Sequence, residues 1–232
     1  MTRKERPGVP ADDQPWSPPS PSVATRRPSA RSRYAARVTV ISPDLREVLA
    51  ESDTEAKAAY ALLADQEVAS IEEQPPPVSY VDDDGEIRVH TLDFIAILKD
   101  GVRVAVLVKP EALAERRKSR ELVERLARQV PNRVADRFVL LTEEDVGGDR
   151  AHDAKLINAA RLHPRPEHDA TVLRQAADAG GPTSIAALMA ASRLGGAGFR
   201  AVARLIASGE LRKLDPGRIS PATRVALGRV DP

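Results

Sequence analysis

The chain has no cysteine, only seven aromatic residues among 232, and no apolar run longer than the seven residues of Ala58 to Ala64 and Ile185 to Ala191. Without cysteine there is no disulfide, no thiolate zinc site and no cysteine nucleophile, which fits a reducing compartment. A membrane-spanning helix needs about 20 apolar residues, so the runs present exclude one and the expectation is a soluble, cytoplasmic protein. The opening MTRKERPGVPADD is basic but lacks the apolar stretch of a secretory signal. No glycine-rich phosphate loop of either common type occurs, which argues against a nucleotide or other small-molecule cofactor. The four histidines (His90, His152, His163, His168) lack metal-type spacing. What remains is a 42% hydrophobic chain rich in Ala, Val and Leu, enough for an aliphatic core in one or two domains.

A net charge of +1 hides an asymmetry. Residues 1–33 carry seven basic and three acidic side chains, 34–149 carry 15 and 24, and 150–232 carry 13 and seven. Basic ends around an acidic middle suggest an anionic partner gripped by the flanks and carboxylates able to hold a cation between them. Segregated charge reads equally well as solvated surface.

Residues 1–33 hold seven of the 19 prolines with little apolar periodicity, and are expected to be a disordered basic arm. From there to residue 148 the pattern predicts a mixed sheet flanked by helices, an α+β domain. Strands are expected at 37–41, 67–74, 78–81, 86–98, 102–109 and 137–141, with helices at 51–65 and 112–130. Ser52 and Glu55 form a capping box for the first helix. The second has an apolar stripe of Leu122, Val123, Leu126 and Val130. After Gly147-Gly148 the sequence turns to Ala-rich helical segments at 151–162, 168–179, 183–192 and 197–208, forming a second domain over 149–232. Thr183 is a candidate cap for the third of these, and Gly209 a left-handed terminator for the fourth.

HTLDFIAILKDGVRVAVLVKP, residues 90–110, carries the chemistry. Two apolar strands are interrupted by Asp93, a residue disfavoured in strands, and ended by Lys109. Lys99-Asp100-Gly101 makes a three-residue hairpin loop with glycine at the bulge position. In that register Leu98 faces Val102, Ile97 faces Arg103, Ile95 faces Ala105 and Asp93 faces Leu107, with Lys109 diagonal to Asp93. A two-residue loop would pair Asp93 with Val108 and turn Lys109 away. A carboxylate and an ammonium at adjoining strand ends suit a divalent cation beside a phosphodiester, with lysine positioning water or stabilising developing charge. Glu55 and the backbone carbonyl of Val108 are the further oxygen ligands within reach. Taken alone, Glu55 is accounted for by capping, Lys109 by a strand-end charge and Asp93 by a structural pair with Lys109. His90 reads as a solvated surface group.

The order Glu51-Ser52 with Glu55, Gln74-Pro75, Tyr80, a glycine turn at 85, His90 leading to Asp93-Phe94, Asp100-Gly101 and Val108-Lys109-Pro110 resembles the N-terminal domain of TnsA-like endonucleases. These are the nuclease subunits of heteromeric transposases, with a restriction-endonuclease-like PD-(D/E)xK core. The resemblance covers about residues 37–145. It implies DNA cleavage at transposon ends with Mg2+ or Mn2+, Glu55 and Asp93 as metal ligands and Lys109 as the catalytic lysine. It further implies double-stranded DNA, a transposase subunit and an ATPase regulator of transposition as partners, and a nucleoid-associated location. Two positions depart from the family pattern. Leu92 stands where proline usually precedes the aspartate, and Leu107 where glutamate or glutamine is expected. An apolar side chain at 107 holds no metal, so a degenerate nuclease fold acting as a DNA-binding or assembly subunit is the alternative. A free-standing repair or restriction nuclease is a third class.

Residues 183–211 predict two short helices joined by a glycine-containing turn and followed by strand-like sequence, a winged-helix-like arrangement. Arg200 and Arg204 lie one turn apart on the second helix as candidate DNA contacts, with Arg193, Arg212 and Lys213 nearby. A helical bundle used for packing or protein contacts is the competing reading.

Overall fold

A computed structural model describes residues 18–26, 38–116 and 118–228. Residues 1–17 and 27–33 of the expected arm lie outside these. The segment 18–26 is held against the sheet: Glu73, fully buried, accepts from Ser22 Oγ (2.5 Å) and the Val23 N–H (3.1 Å) and pairs with Arg46 at 2.8 Å. A buried carboxylate needs these partners, so this short piece of the arm is tied down although its composition looks unstructured.

A hairpin of β1 (Val38–Ile41) and β2 (Glu47–Ala50) precedes α1 (Asp53–Ala64). The capping signal at its start is real: Ser52 is the N-cap and accepts from the Glu55 N–H. The main sheet contains β3 (Val68–Glu73), β6 (Phe94–Leu98), β7 (Arg103–Val108) and β8 (Arg137–Leu141), in that spatial order. The first three run antiparallel to their neighbours, whereas β7 and β8 are parallel, so the sheet is mixed. The β6–β7 register is that of the three-residue loop, with Ile95 opposite Ala105 and Ile97 opposite Arg103. Gly101, at φ +87°, supplies the left-handed turn.

Alternation sends the two sides of this sheet into different cores. Phe94, Ala96, Val106 and Val108 pack with Ala56, Ala59 and Leu63 of α1. Ile95, Ala105 and Leu107 pack with Leu126 and Val130, where α3 (Ser119–Gln129) covers the opposite face. Two expected elements are divided. The strand 86–98 becomes β5 (Ile87–His90), which pairs in a ribbon with β4 (Val78–Val81), and then β6. The helix 112–130 becomes α2 (Glu111–Arg116) and α3, with Lys118 between them at φ +51°. A short α4 (Glu143–Val146), capped by Thr142 and Asp145, was not expected.

The C-terminal part comprises α5 (Gly148–Arg161), α6 (Pro166–Asp178), β9 (Thr183–Ser184), α7 (Ile185–Ser192), α8 (Gly196–Ser208), β10 (Leu211–Lys213) and β11 (Arg224–Leu227). Ser184, not Thr183, caps α7, and Gly209 ends α8 at φ +84°. β11 lies between β9 and β10 in a small antiparallel sheet. Ile157, Val172, Leu188, Val202 and Leu205 centre a separate core. Helix α5 docks on α1, where Asn158 Nδ2 donates to the Tyr60 carbonyl and Arg161 to that of Leu63. Among the described residues no helix is long and apolar enough to cross a membrane.

Candidate functional site

Strands β6 and β7 bring their chemistry to one end of the main sheet, β6 by its N-terminus and β7 by its C-terminus. Asp93 immediately precedes β6. Its N–H donates to the Val106 carbonyl (3.2 Å) and its carbonyl accepts from the Gln74 N–H (2.9 Å), so both neighbouring strands fix its backbone. The chain bends here: Leu92 and Ile95 enter the same core although they are three residues apart, which strict strand alternation forbids. The bend carries the Asp93 carboxylate to the strand end, where Oδ2 accepts from the Val108 N–H at 2.7 Å and from Lys109 Nζ at 3.2 Å. The carboxylate is almost wholly buried and the ammonium half-buried.

Glu55 enters from the first turn of α1. Its Oε2 accepts from the Glu51 N–H at 2.7 Å and its Oε1 from Ser52 Oγ at 3.1 Å. Burial, and next to it the negative charge of Asp93, hold the Glu55 carboxyl above its ordinary range, outweighing those two hydrogen bonds. The two carboxylates are therefore close enough to repel each other.

Leu107 does not line this site. It is fully buried beneath α3 with Leu92, Ile95, Ala105 and Leu126. The expectation that it stands beside the Asp93 carboxylate fails because the bend at 92–93 takes that carboxylate out of the alternation Leu107 still follows.

Two polar groups join the neighbourhood that sequence reasoning did not assign. His90 is half-buried, not solvated, and its Nε2 is buried without a hydrogen-bond partner among the described residues. Burial and then the Lys109 charge push its pKa down, against the weaker pull of Asp93. Gln74 is 1% exposed, sits at φ +47° and has neither side-chain amide atom paired among the described residues. Unpaired buried amides and left-handed non-glycine residues are both costly and gather at functional sites. The only sequence sign of either was its place in the resemblance, Gln74 before Pro75 and His90 three residues before Asp93.

A hard divalent cation fits this donor set. Glu55, Asp93 and the Val108 carbonyl offer oxygen only, and Mg2+ takes one or two carboxylates while keeping several waters. Among the described residues no three His, Asp or Glu side chains converge as a complete metal cage, so water and substrate oxygens would supply the remainder.

The C-terminal candidates are dispersed. Arg193, at the end of α7, Arg200 and Arg212 are exposed. Arg204 is 8% exposed and faces inward: Nε and Nη2 fork onto Asp169 at 2.6–3.0 Å, and Nη1 donates to the carbonyls of Ala160 and His163. Lys213 pairs with Asp153 at 2.7 Å and donates to the Gly217 carbonyl. Residues 201–205 of α8 are all buried, which removes most of that helix from contact with a groove. The face expected for Arg200 and Arg204 therefore presents Arg200 alone.

No protein-family model and no curated protein sequence matches this chain.

Proposed function

We propose that the chain is a metal-dependent DNA endonuclease subunit of a transposition complex, working at the strand-end site. The observation that carries this reading is the convergence of Asp93, Lys109 and Glu55 at one end of a mixed sheet, with Asp93 bonded to both the Val108 N–H and Lys109. The sheet order β3-β6-β7-β8, covered by α1 and α3 on opposite faces, supports a restriction-endonuclease-like core. The succession α6-β9-α7-α8-β10-β11 supports a winged-helix-like C-terminal domain. Double-stranded DNA, a transposase and an ATPase regulator are the partners of this reading.

Glu55 and Asp93, with the Val108 carbonyl, would hold Mg2+ or Mn2+, which when bound polarises a phosphodiester and acidifies water. The chain's own residues do the rest. Lys109 donates to Asp93 and sets an ammonium where negative charge develops on phosphate oxygens. The Val108 N–H fixes the carboxylate's orientation. His90 adds a ring nitrogen, unpaired among the described residues, to the same neighbourhood.

The test is cleavage of transposon-end DNA with Mg2+ or Mn2+ in the presence of the partner transposase, comparing wild type with Asp93→Asn. Asparagine keeps an acceptor for the Val108 N–H and loses the charge. Cleavage is expected to fall at least about a hundredfold with the fold intact by circular dichroism. Equal cleavage by both proteins would overturn the assignment. The non-catalytic assembly reading gains from Leu107, buried where the family carries a polar ligand. It replaces the nuclease if the wild type binds DNA and does not cut it with either metal.

A further inference from the structure

We propose that the cleft between the first turn of α6 and the first half of α8 is a phosphate-binding site, separate from the strand-end carboxylates. This does not rest on the nuclease reading. The cleft is a cavity of about 290 Å³ lined by His163, Arg165, His168, Ala197, Arg200 and Arg204. Among the described residues no carboxylate lines it, and every polar side chain of that lining is basic. That composition repels metal cations and attracts an oxyanion.

Arg204 supplies the preorganised part. A guanidinium has five N–H donors. Nε and one Nη2 hydrogen go to Asp169, and Nη1 serves the Ala160 and His163 carbonyls. One Nη2 hydrogen is left, on a side chain locked in place whose donor costs no further ordering. Asp169 neutralises the Arg204 charge, so the attraction comes from elsewhere. Arg200, one turn earlier on α8, is exposed and enters none of the ion pairs among the described residues. The imidazoles of His163 and His168 add a donor each. The other first-turn acid of α6, Glu167, lines a different groove along that helix with Leu173 and Ala177.

Neither helix has a side-chain cap, with Arg165 and Gly195 at the N-cap positions. Arg165 and Ala197, both in the cavity wall, stand at the starts of these two helices. A tetrahedral phosphate accepts from several directions at once, which suits donors arriving from two helices. Its source is either a nucleic-acid backbone or a free phosphate ester.

The experiment follows the histidine imidazole resonances of the full chain by NMR during titration with inorganic phosphate, without metal. In parallel, affinity for a short duplex DNA is measured against salt concentration. His163 and His168 are expected to shift while His90 and His152 stay still. Arg200→Gln should weaken phosphate binding about tenfold, and Arg212→Gln, outside the cavity, should leave it unchanged. Ala197→Glu, which places a carboxylate in the cavity wall, should abolish it. A duplex salt slope reduced by about one in Arg200→Gln identifies a nucleic-acid backbone as the source, whereas an unchanged slope identifies a free phosphate ester. The proposal is overturned if phosphate moves neither imidazole, or if Arg200→Gln and Arg212→Gln weaken binding equally. Neither result bears on cleavage, so loss of this site and loss of the nuclease reading are separately visible.

Discussion

Asp93 with Lys109 and Asp169 with Arg204 are both acid–base pairs largely removed from water, yet their surroundings differ. At Asp169 the guanidinium fork fills both carboxylate oxygens, and backbone carbonyls absorb two more hydrogens. At Asp93 one oxygen takes the Val108 N–H and a lysine at 3.2 Å, with a second carboxylate nearby and, among the described residues, the Gln74 amide and His90 Nε2 unpaired. Saturated pairs hold helices together. Unsaturated clusters keep bonding capacity for something else, which is why the proposed chemistry is assigned to the sheet end and the architecture to the helices. The cleft beside Arg204 is where that pair leaves one Nη2 hydrogen without a partner among the described residues.

The largest effect belongs to Leu107→Glu. Were position 107 an open ligand position, glutamate would gain metal-dependent stability there. In a fully enclosed core it should destabilise the fold by about 4 kcal/mol, with no recovery in Mg2+, as read by urea unfolding with and without the metal. Rescue by Mg2+ would return Leu107 to the site and erase the contrast drawn above.

Next is Arg204→Met, which fills similar volume and leaves Asp169 without its partner. A loss of about 3 kcal/mol is expected. A loss below about 1 kcal/mol in the same unfolding experiment would mean that the pair is dispensable and the helical region less saturated than its hydrogen bonds indicate.

Glu55→Gln is the smallest. A carboxyl whose folded pKa lies above its unfolded value binds more protons in the native state, so wild-type stability should fall as pH rises from about 4.5 through the raised folded value. Glutamine still accepts from the Glu51 N–H and has no charge to set against Asp93. It should remove that fall and raise stability at neutral pH by under about 1 kcal/mol. Identical pH profiles in the two proteins would dissolve the carboxylate contact.

Local rules made much of the fold legible from residue order alone. The Ser52 cap, the Lys99-Asp100-Gly101 turn with its register, the β8 strand and the left-handed Gly209 all depend on neighbours a few positions away, and spacing encodes such contacts directly. The hairpin register then brought Asp93 to Lys109. Tertiary structure decided the rest. Whether Leu107 faced the carboxylates or the core depended on the bend at Leu92 and on α3 arriving from distant sequence. Periodicity put Arg204 on an exposed stripe, but α5 and α6 enclosed α8 and supplied Asp169 from 35 residues away. Segment 18–26 reads as unstructured arm, yet it is pinned by Glu73, a contact spanning about 50 residues. Charge, period and capping fix what a residue prefers, while burial and partner depend on which other surface packs over it.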